Sequence, residues 1–207
     1  MYILTQTGPL EKREDNIYRV QDAALEKKYT EAGYLQRERT YKIMRGHSEY
    51  IIHCYEFRHS EDESEPVVII PEFLVPGRPY PLEVYLYAID LYSSNPEKGQ
   101  RWTAAETRKH FGLKTFAHTT LGRALKSLVN GLNKIIGSET AEAQTDSSGS
   151  VDDSKRSLFP TAASTAAVRK RSAWFLGGVA NQDGQLNIDA YYEIARKWFE
   201  THGRLLL

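Results

Sequence analysis

Hydrophobic and polar residues alternate in two distinct ways along this chain, and the first pattern predicts strands. The segments SEYIIHCYEF (48–57) and PVVII (66–70) are short and rich in β-branched and aromatic residues. Such runs, bounded by polar or turn-forming residues, are typical of strands. The segment KIMRG precedes them and offers a third strand. We therefore expect a small antiparallel module of two or three strands.

Helical spacing is expected on both sides of this module. In residues 1–30, the apolar positions Ile17, Val20, Ala24 and Leu25 predict one modestly amphipathic helix. The connector PEFLVPGRPYP (71–81) contains four prolines, which favour extended and turn conformations. The next segment, 81–94, predicts a helix with a broad buried face that starts at a proline.

Two further helices are predicted on either side of Gly112. Thr103 and Glu106 have the spacing of a capping box, so the first helix is expected to run from Thr103 to Phe111. Gly112 can adopt the positive φ that ends a helix. The second helix, about 116–136, is indicated by leucines and a valine at i, i+4, i+7, i+8 and i+11, and Gly137 is expected to end it.

The remaining chain predicts a linker and a tail. Residues 138–153 are small, polar and acidic, without Lys or Arg, as in a flexible linker. The segment 168–178 combines Arg169 and its basic neighbours with aromatic side chains, which suits either phosphate contact or protein docking. The segment NIDAYYEIARKWFETHG predicts a final helix that packs on the domain or pairs with another copy.

The patterns together predict an α+β, mostly helical fold. It has a short antiparallel β-rich N-terminal module, a helix-turn-helix core and C-terminal helices. The expected divisions are an N-terminal helix and β module, a helix-turn-helix domain, an acidic flexible linker and a helical tail, at residues 1–75, 76–137, 138–154 and 155–207.

Composition narrows the class of protein. The 207 residues carry 27 Lys and Arg against 27 Asp and Glu, so the formal net charge is zero and nucleic-acid binding requires locally concentrated charge. A single cysteine, Cys54, excludes a disulfide within the chain. Without a signal peptide or a membrane-spanning run, a cytoplasmic protein without membrane contact is expected.

Local charge points to DNA. From Glu97 to Gly137 the sequence carries eight Lys and Arg and two Glu, a local charge of +6. A helix-turn-helix reads the major groove with the N-terminal half of its second helix, using polar and basic side chains. Three cations are expected to contact phosphates, Arg108, Lys109 and Lys114. Five side chains are expected to face the groove, His118, Thr119, Thr120, Arg123 and Lys126. Arg101 completes the predicted DNA-binding set.

The spacing of the turn leaves an alternative open. The residues LKTFAH separate Gly112 from the most recognition-like register, whereas a compact motif has about three residues there. Either the turn is longer, or the second helix starts one turn earlier with Thr115 as its cap. The competing interpretation of the segment is a helical hairpin whose basic face is merely solvated.

The stretch IIHCYEF followed by VVIIPEFLVPGRPYPLEVYLYAIDLY resembles a bacterial protein family, uncharacterised and associated with transposons. That family joins a zinc-ribbon-like module to a proline-containing segment and a helix-turn-helix. The resemblance covers roughly residues 35–135. The main matching residues are Ile69, Ile70, Pro71, Phe73, Leu74, Pro76, Tyr80 and Glu83. It implies DNA binding in a mobile-element or transcription-regulation setting. The family's paired cysteines are lost here, so no metal is expected.

No catalytic centre is evident. The scattered carboxylates do not form a recognisable two-metal arrangement; they are Asp90, Glu106, Asp152, Asp153, Asp183 and Asp189. A nucleophilic pair of Cys54 and His59 is conceivable, but a lone cysteine in an apolar strand is usually a small hydrophobe. We expect no cofactor, no small-molecule substrate and no catalysis. A homodimer, or a protein partner bound through the C-terminal helix, is compatible with the sequence. The alternative function is a protein-interaction module, an adaptor or inhibitor from a phage or mobile element.

Overall fold

The structure, a computed structural model, describes most of the chain up to residue 142 and five residues beyond it. The described residues are 2–5, 10–59, 66–71, 73–142, 168, 169, 172, 173 and 175. Six strands are β1 Tyr2–Thr5, β2 Glu11–Glu14, β3 Ile17–Arg19, β4 Tyr34–Arg45, β5 Ser48–His59 and β6 Val67–Pro71. Four helices are α1 Ala23–Glu31, α2 Leu82–Ser94, α3 Gln100–His110 and α4 His118–Glu142.

The chain divides into two compact units. The first contains Met1–Tyr85 and Arg108–Thr115, as far as they are described. The second contains Leu86–Thr107, together with Phe116 and the described residues that follow it. The predicted helix-turn-helix domain, 76–137, therefore contains residues of both units. The boundaries fall within α2 and α3, so chain continuity alone does not define the units.

The first unit is built on one mixed sheet around β5. Strand β4 pairs antiparallel with β5 along its whole length, from Tyr34 opposite His59 to Arg45 opposite Ser48. The other edge of β5 is shared: β3 pairs parallel with its first half, and β6 antiparallel with its second half. Strands β2 and β1 extend the sheet beyond β3 and β6.

The hairpin between β4 and β5 follows from its two-residue turn. Gly46 and His47 connect the strands, and Gly46 has a φ of 58°. Two-residue hairpin turns require positive φ at the first central position, which glycine adopts without steric cost. This turn fixes the register of the 12-residue strands.

A single apolar cluster stabilises the sheet. It contains Ile43 and Phe57 among its buried members, and partly buried tyrosines pack against it. Helix α1 begins at the N-cap Asp22, whose carboxylate accepts the Leu25 amide at 3.0 Å. Tyr29 of α1 stacks on Phe57 with ring centroids 5.0 Å apart, so this short helix is held mainly by aromatic packing.

The prediction of a mostly helical fold with a short antiparallel module is wrong. The sheet has six strands, two of its strand pairs are parallel, and β4 and β5 are long. The predicted N-terminal helix is also wrong: Ile17 lies in β3, and the helix extends only over Ala23–Glu31. The physical reason is that pairing with the distant strand β5 outweighs the weak local helical periodicity of these residues.

The second unit is helical in its described part. The predicted helix at 81–94 is confirmed as α2, with Pro81 directly before it and Glu83 in its first turn. Helix α4 buries Leu121, Leu125 and Leu128 on one face, as the leucine spacing predicted. Within the described residues, no helix combines the length and the apolar character needed to cross a membrane.

Three predicted helix ends are wrong. Helix α3 starts at Gln100 instead of Thr103, because Thr103 lies inside the helix and its hydroxyl donates to the Gly99 carbonyl at 3.2 Å. Helix α4 starts at His118, not at Phe116 or after a Thr115 cap, and it continues past Gly137 to Glu142. The predicted stop at Gly137 fails because an isolated glycine weakens a helix without obliging it to end.

Candidate nucleic-acid interface

One exposed stripe of helix α4 carries much of the predicted recognition chemistry. Thr119, Arg123 and Lys126 are exposed and recur at i, i+4 and i+7, which places them on one face of a 3.6-residue helix. The leucines of the opposite face are buried and fix the rotation of the helix. The sequence thus combines an apolar face with a polar, basic face that is presented to solvent.

The other two predicted groove residues lie elsewhere on α4. His118 is the first residue of the helix and is exposed. Thr120 is half-buried and lies off the stripe, because it is only one residue from Thr119 and therefore a large rotation away. The structure consequently brings together three of the five predicted groove-facing residues.

Asn130 was missed by the sequence interpretation. It is exposed and lies four residues after Lys126, so it continues the same stripe. Asparagine can donate to and accept from base edges, which makes it chemically suited to the surface. The helical spacing from Thr119 could have identified it. We call Thr119, Arg123, Lys126 and Asn130 the α4 stripe.

Helix α3 presents a second set of cations. Arg101 and Arg108 are exposed seven residues apart on one face, and Lys109 is exposed beside it. The opposite face buries Thr103 and Thr107. The Thr107 hydroxyl donates to the Thr103 carbonyl at 2.8 Å, so this buried polar group is satisfied within the helix.

Small residues at the start of these helices have separate roles. Ala104 is buried whereas Ala105 is exposed, so only the first of these two small residues lies on the packed face of α3. A side chain at Gly122 would also meet a neighbour. An added Cβ there would lie 3.0 Å from Gln100 Oε1, so the start of α3 lies directly against α4 at this glycine.

The connection between α3 and α4 is longer than in a compact helix-turn-helix. It spans seven residues, 111–117, against the three or four of the usual motif. Gly112 ends α3 with a φ of 59°, which confirms its predicted role. Its amide donates to Lys109 O at 3.3 Å and the Leu113 amide to Arg108 O at 2.9 Å, the two bonds of a Schellman motif.

Other contacts hold Lys114 and Thr115 of this connection within the first unit. The amide of Lys114 donates to the carbonyl of Gly46 in the β4–β5 turn at 3.3 Å. The hydroxyl of Tyr80 donates to the carbonyl of Thr115 and lies 3.1 Å from its Oγ1. The Lys114 side chain remains exposed. Residues 111–115 of the connection therefore belong to the sheet-containing unit.

Ion pairs are more frequent among the cations of the first 60 residues than among the predicted DNA-binding cations. Seven Lys and Arg side chains of the first 60 residues pair with carboxylates within 4.0 Å; they are Lys12, Arg13, Lys27, Arg39, Lys42, Arg45 and Arg58. Among the described residues, no carboxylate pairs with Arg101, Arg108, Lys109, Lys114, Arg123 or Lys126. These six predicted cations are thus free to bind an external anion.

In the C-terminal basic segment, Arg169 binds backbone carbonyl groups. Its Nη1 donates to the carbonyl oxygens of Tyr92 at 2.5 Å and Asn95 at 2.6 Å, and its Nη2 donates to that of Lys98. Its guanidinium carbon lies 4.0 Å from the centroid of the Tyr92 ring. Because these contacts occupy the guanidinium at the C-terminal end of α2, Arg169 is not available for phosphate.

The residues considered for catalysis are not assembled. Burial raises the pKa of the Cys54 thiol to about 12, with Arg39 opposing the shift in part. Cys54 and His59 point to opposite faces of the sheet, because side chains alternate along β5. Asp90 is exposed on α2 and Glu106 half-buried on α3. The other carboxylates considered lie outside the described residues, as do residues 176–207 with the predicted final helix.

Metal ligands are likewise dispersed in the part of the chain that the structure describes. There, no three His, Cys, Asp or Glu side chains are grouped so that they could hold an ion. His53 illustrates this: its Nδ1 lies 2.8 Å from Glu38 Oε1 and 3.2 Å from Thr40 Oγ1, within the β4–β5 pair. These polar side chains satisfy one another on the surface of the sheet.

No protein-family model matches the chain, and comparison with curated proteins and with solved structures finds no match. The resemblance to a transposon-associated family stays a prediction. The chemical case for the interface rests on the residues described above.

Proposed function

We propose that this protein binds duplex DNA through the α4 stripe. Thr119 and Asn130 would contact base edges, while Arg123 and Lys126 would bind phosphates or guanine edges. Arg101 would bind phosphate beside α4, since its neighbour Gln100 lies against Gly122. His118 is proposed as a contact at the start of α4. In the first unit, taken by itself, Arg108, Lys109 and Lys114 are proposed as phosphate contacts.

The main support for the proposal is that the two cations of the α4 stripe are exposed and have no described ion-pair partner. Arg123 and Lys126 share one exposed helix face with two short polar side chains, and no described carboxylate neutralises them. A solvated structural helix gains stability from pairs of opposite charge at i and i+4. This face carries no acidic residue at such spacing: Asn130 follows Lys126 at i+4, and Ser127 follows Arg123.

The connection before α4 is longer than the turn of a compact helix-turn-helix. We propose recognition by a single exposed helix face, without assuming the docking angle of that motif. A mobile-element or regulatory setting rests on the resemblance alone, and we propose no catalytic role. The alternative, a protein-interaction module, is the function that a failed DNA-binding assay would favour.

The test measures duplex binding by fluorescence anisotropy at about 50 mM salt, where phosphate contacts are strong. The variant Arg123→Ala/Lys126→Ala removes two cations of the α4 stripe. The control, Lys27→Ala/Lys28→Ala, removes two exposed cations of α1. We expect the first variant to weaken binding about tenfold or more and the control to bind like the natural chain.

Two results would overturn the proposal. One is the absence of binding to any duplex under these low-salt conditions. The other is an equal loss of affinity in both double variants, because binding would then follow overall charge and not the α4 stripe. Circular dichroism of each variant establishes that the fold is retained.

A further inference from the structure

The outer edge of strand β4 carries unpaired backbone groups. In an antiparallel pair, alternate residues direct their amide and carbonyl away from the partner strand. Met44 shows which set this is, since its amide donates outward to Pro79 O at 2.7 Å instead of to β5. By alternation, Gln36, Glu38, Thr40 and Lys42 also point outward. Within the described residues, no backbone group bonds to the outward amides and carbonyls of these last four residues.

This edge lacks most of the devices that prevent strand pairing. Its register with β5 runs without a shift from Tyr34 to Arg45, so no bulge twists it away. It contains no proline, and the four outward residues are exposed. Natural edges are commonly protected by charges, bulges or proline. Charge alone remains here: β4 carries four cations and one carboxylate, Glu38.

Glu38 and Lys42 of β4 are placed symmetrically about Thr40 and carry opposite charges. When two copies align antiparallel with Thr40 opposite Thr40, Glu38 of each copy faces Lys42 of the other. Arg39 faces Tyr41 in the same arrangement. Opposite charges and threonine pairs directly across an antiparallel ladder are favourable, and arginine over tyrosine is a cation–π contact. The outward backbone groups of Glu38, Thr40 and Lys42 meet as hydrogen-bonded pairs.

We propose that β4 is a dimerisation edge and that its partner is a second copy of this chain, joined antiparallel about Thr40. The two sheets would continue across the interface as one. The proposal is independent of DNA binding, because no residue of β4 belongs to the proposed DNA-binding set.

Alternative registers are less favourable on the same edge. A shift that centres the pair on Glu38 or Lys42 places like charges directly opposite each other. Centring it on Arg39 places the two Arg39 side chains together. Centring it on Tyr41 places Glu38 opposite Met44 and Lys42 opposite Thr40, so no opposite charges meet across the interface. Of these registers, the Thr40 register alone places opposite charges across the interface. Its ladder extends over Glu38, Thr40 and Lys42 and ends before Met44, whose amide is bonded to Pro79 O.

Contacts inside each copy extend the charge pattern. Lys42 Nζ lies 2.9 Å from Glu49 Oε1, and Glu38 Oε1 lies 2.8 Å from His53 Nδ1. Both contacts are on the sheet face that carries Glu38 and Lys42. In the dimer, each Lys42 would lie between Glu49 of its own chain and Glu38 of the second copy. Acid and base would then alternate across four strands.

Sedimentation velocity over a concentration series tests the proposal with the full chain. We expect a dimer for the natural chain. Glu38→Lys and Lys42→Glu each put like charges across the interface, so each should raise the dimer dissociation constant about tenfold or more. Mixing the two variants restores opposite charges and should restore the dimer as a mixed species. The double swap Glu38→Lys/Lys42→Glu should also restore it.

A second measurement needs no substitution. The Thr40 amide should exchange with solvent more slowly as protein concentration rises, because dimerisation pairs it. The outward Met44 amide, already bonded, should not change with concentration. A chain that stays monomeric throughout, a dimer that persists in both single variants, or a mixture that fails to associate would each overturn the proposal.

Discussion

Gly112 shows how a single residue determines where a helix ends. Its φ of 59° lies in the left-handed region, and an added Cβ would meet no heavy atom within 4 Å. Gly112→Ala should therefore cost stability through backbone conformation alone, about 1 kcal/mol in the free energy of unfolding. Urea denaturation measures this cost. Gly112→Asn is the control and should lose less, since asparagine tolerates this conformation. Equal losses in the two variants would contradict the explanation.

Glu56 is a buried carboxylate whose charge depends on two arginines. Burial alone would raise its pKa, but hydrogen bonds and charges from Arg58 and Arg39 outweigh burial and leave the pKa below its ordinary value. The Glu56 oxygens lie 2.7 Å from Arg58 Nε and 3.1 Å from Arg39 Nη1. The depressed pKa means that ionised Glu56 stabilises the folded state above the unfolded pKa, and that this contribution is lost as pH falls through the folded pKa.

The corresponding prediction compares Glu56→Gln with the natural chain across pH. At pH 7 the variant should be less stable, because it removes the carboxylate that faces both arginines. The difference should shrink as pH falls below about 4.5, the usual range of glutamate, since the natural chain then loses the same charge. Urea titrations at several pH values measure it. A difference that stays constant from neutral to acidic pH would show that Glu56 acts only through packing.

Elements with strong local patterns were predictable. The helix at 82–94, the buried face of α4 and the core strands β5 and β6 follow from periodicity and β-branched composition. Strand β4 was only partly recognised, because its first half, YLQRERT, is charged and exposed on an edge. The residues of strand β3 were predicted to be helical. Its three residues gain stability from parallel pairing with β5, a partner about 30 residues away that local patterns do not reveal.

The C-terminal end of α2 depends on a residue far along the sequence. Arg169 donates to three carbonyl groups there and stacks over Tyr92. Charge-assisted bonds of this kind are worth more than neutral ones. We expect Arg169→Ala to lower the free energy of unfolding by about 2–3 kcal/mol. Arg169→Lys should recover only part, because lysine lacks the planar fork.

The matched control for Arg169 is Arg123→Ala, which removes an exposed arginine without a described ion-pair partner. It should change stability by about 0.5 kcal/mol or less. Urea denaturation of the full chain compares the three variants. If Arg169→Ala were as mild as Arg123→Ala, the contacts at α2 would contribute little, and the basic segment would again be open to other roles.

At the scale of the molecule, the sequence was sufficient to predict residues of the candidate site, but not the connection and the units that surround it. Helical spacing was enough to group Thr119, Arg123 and Lys126, and would have included Asn130. The length and position of the connection before α4 could not be predicted in this way. They depend on contacts with Gly46 and Tyr80, which precede the connection by more than 30 residues. The boundaries between the two compact units also lie within α2 and α3. No change in local composition marks these positions.

Charge distribution over the whole molecule gives a last prediction. The chain is neutral, so long-range attraction to DNA is weak and binding must follow locally free cations. The slope of log affinity against log salt counts released counterions, about 0.9 for each phosphate contact. Arg123→Ala/Lys126→Ala should lower this slope by about 2. Lys27→Ala/Lys28→Ala changes the net charge identically and should leave the slope unchanged. Equal slopes in the two variants would mean that net charge, and not the α4 stripe, controls association.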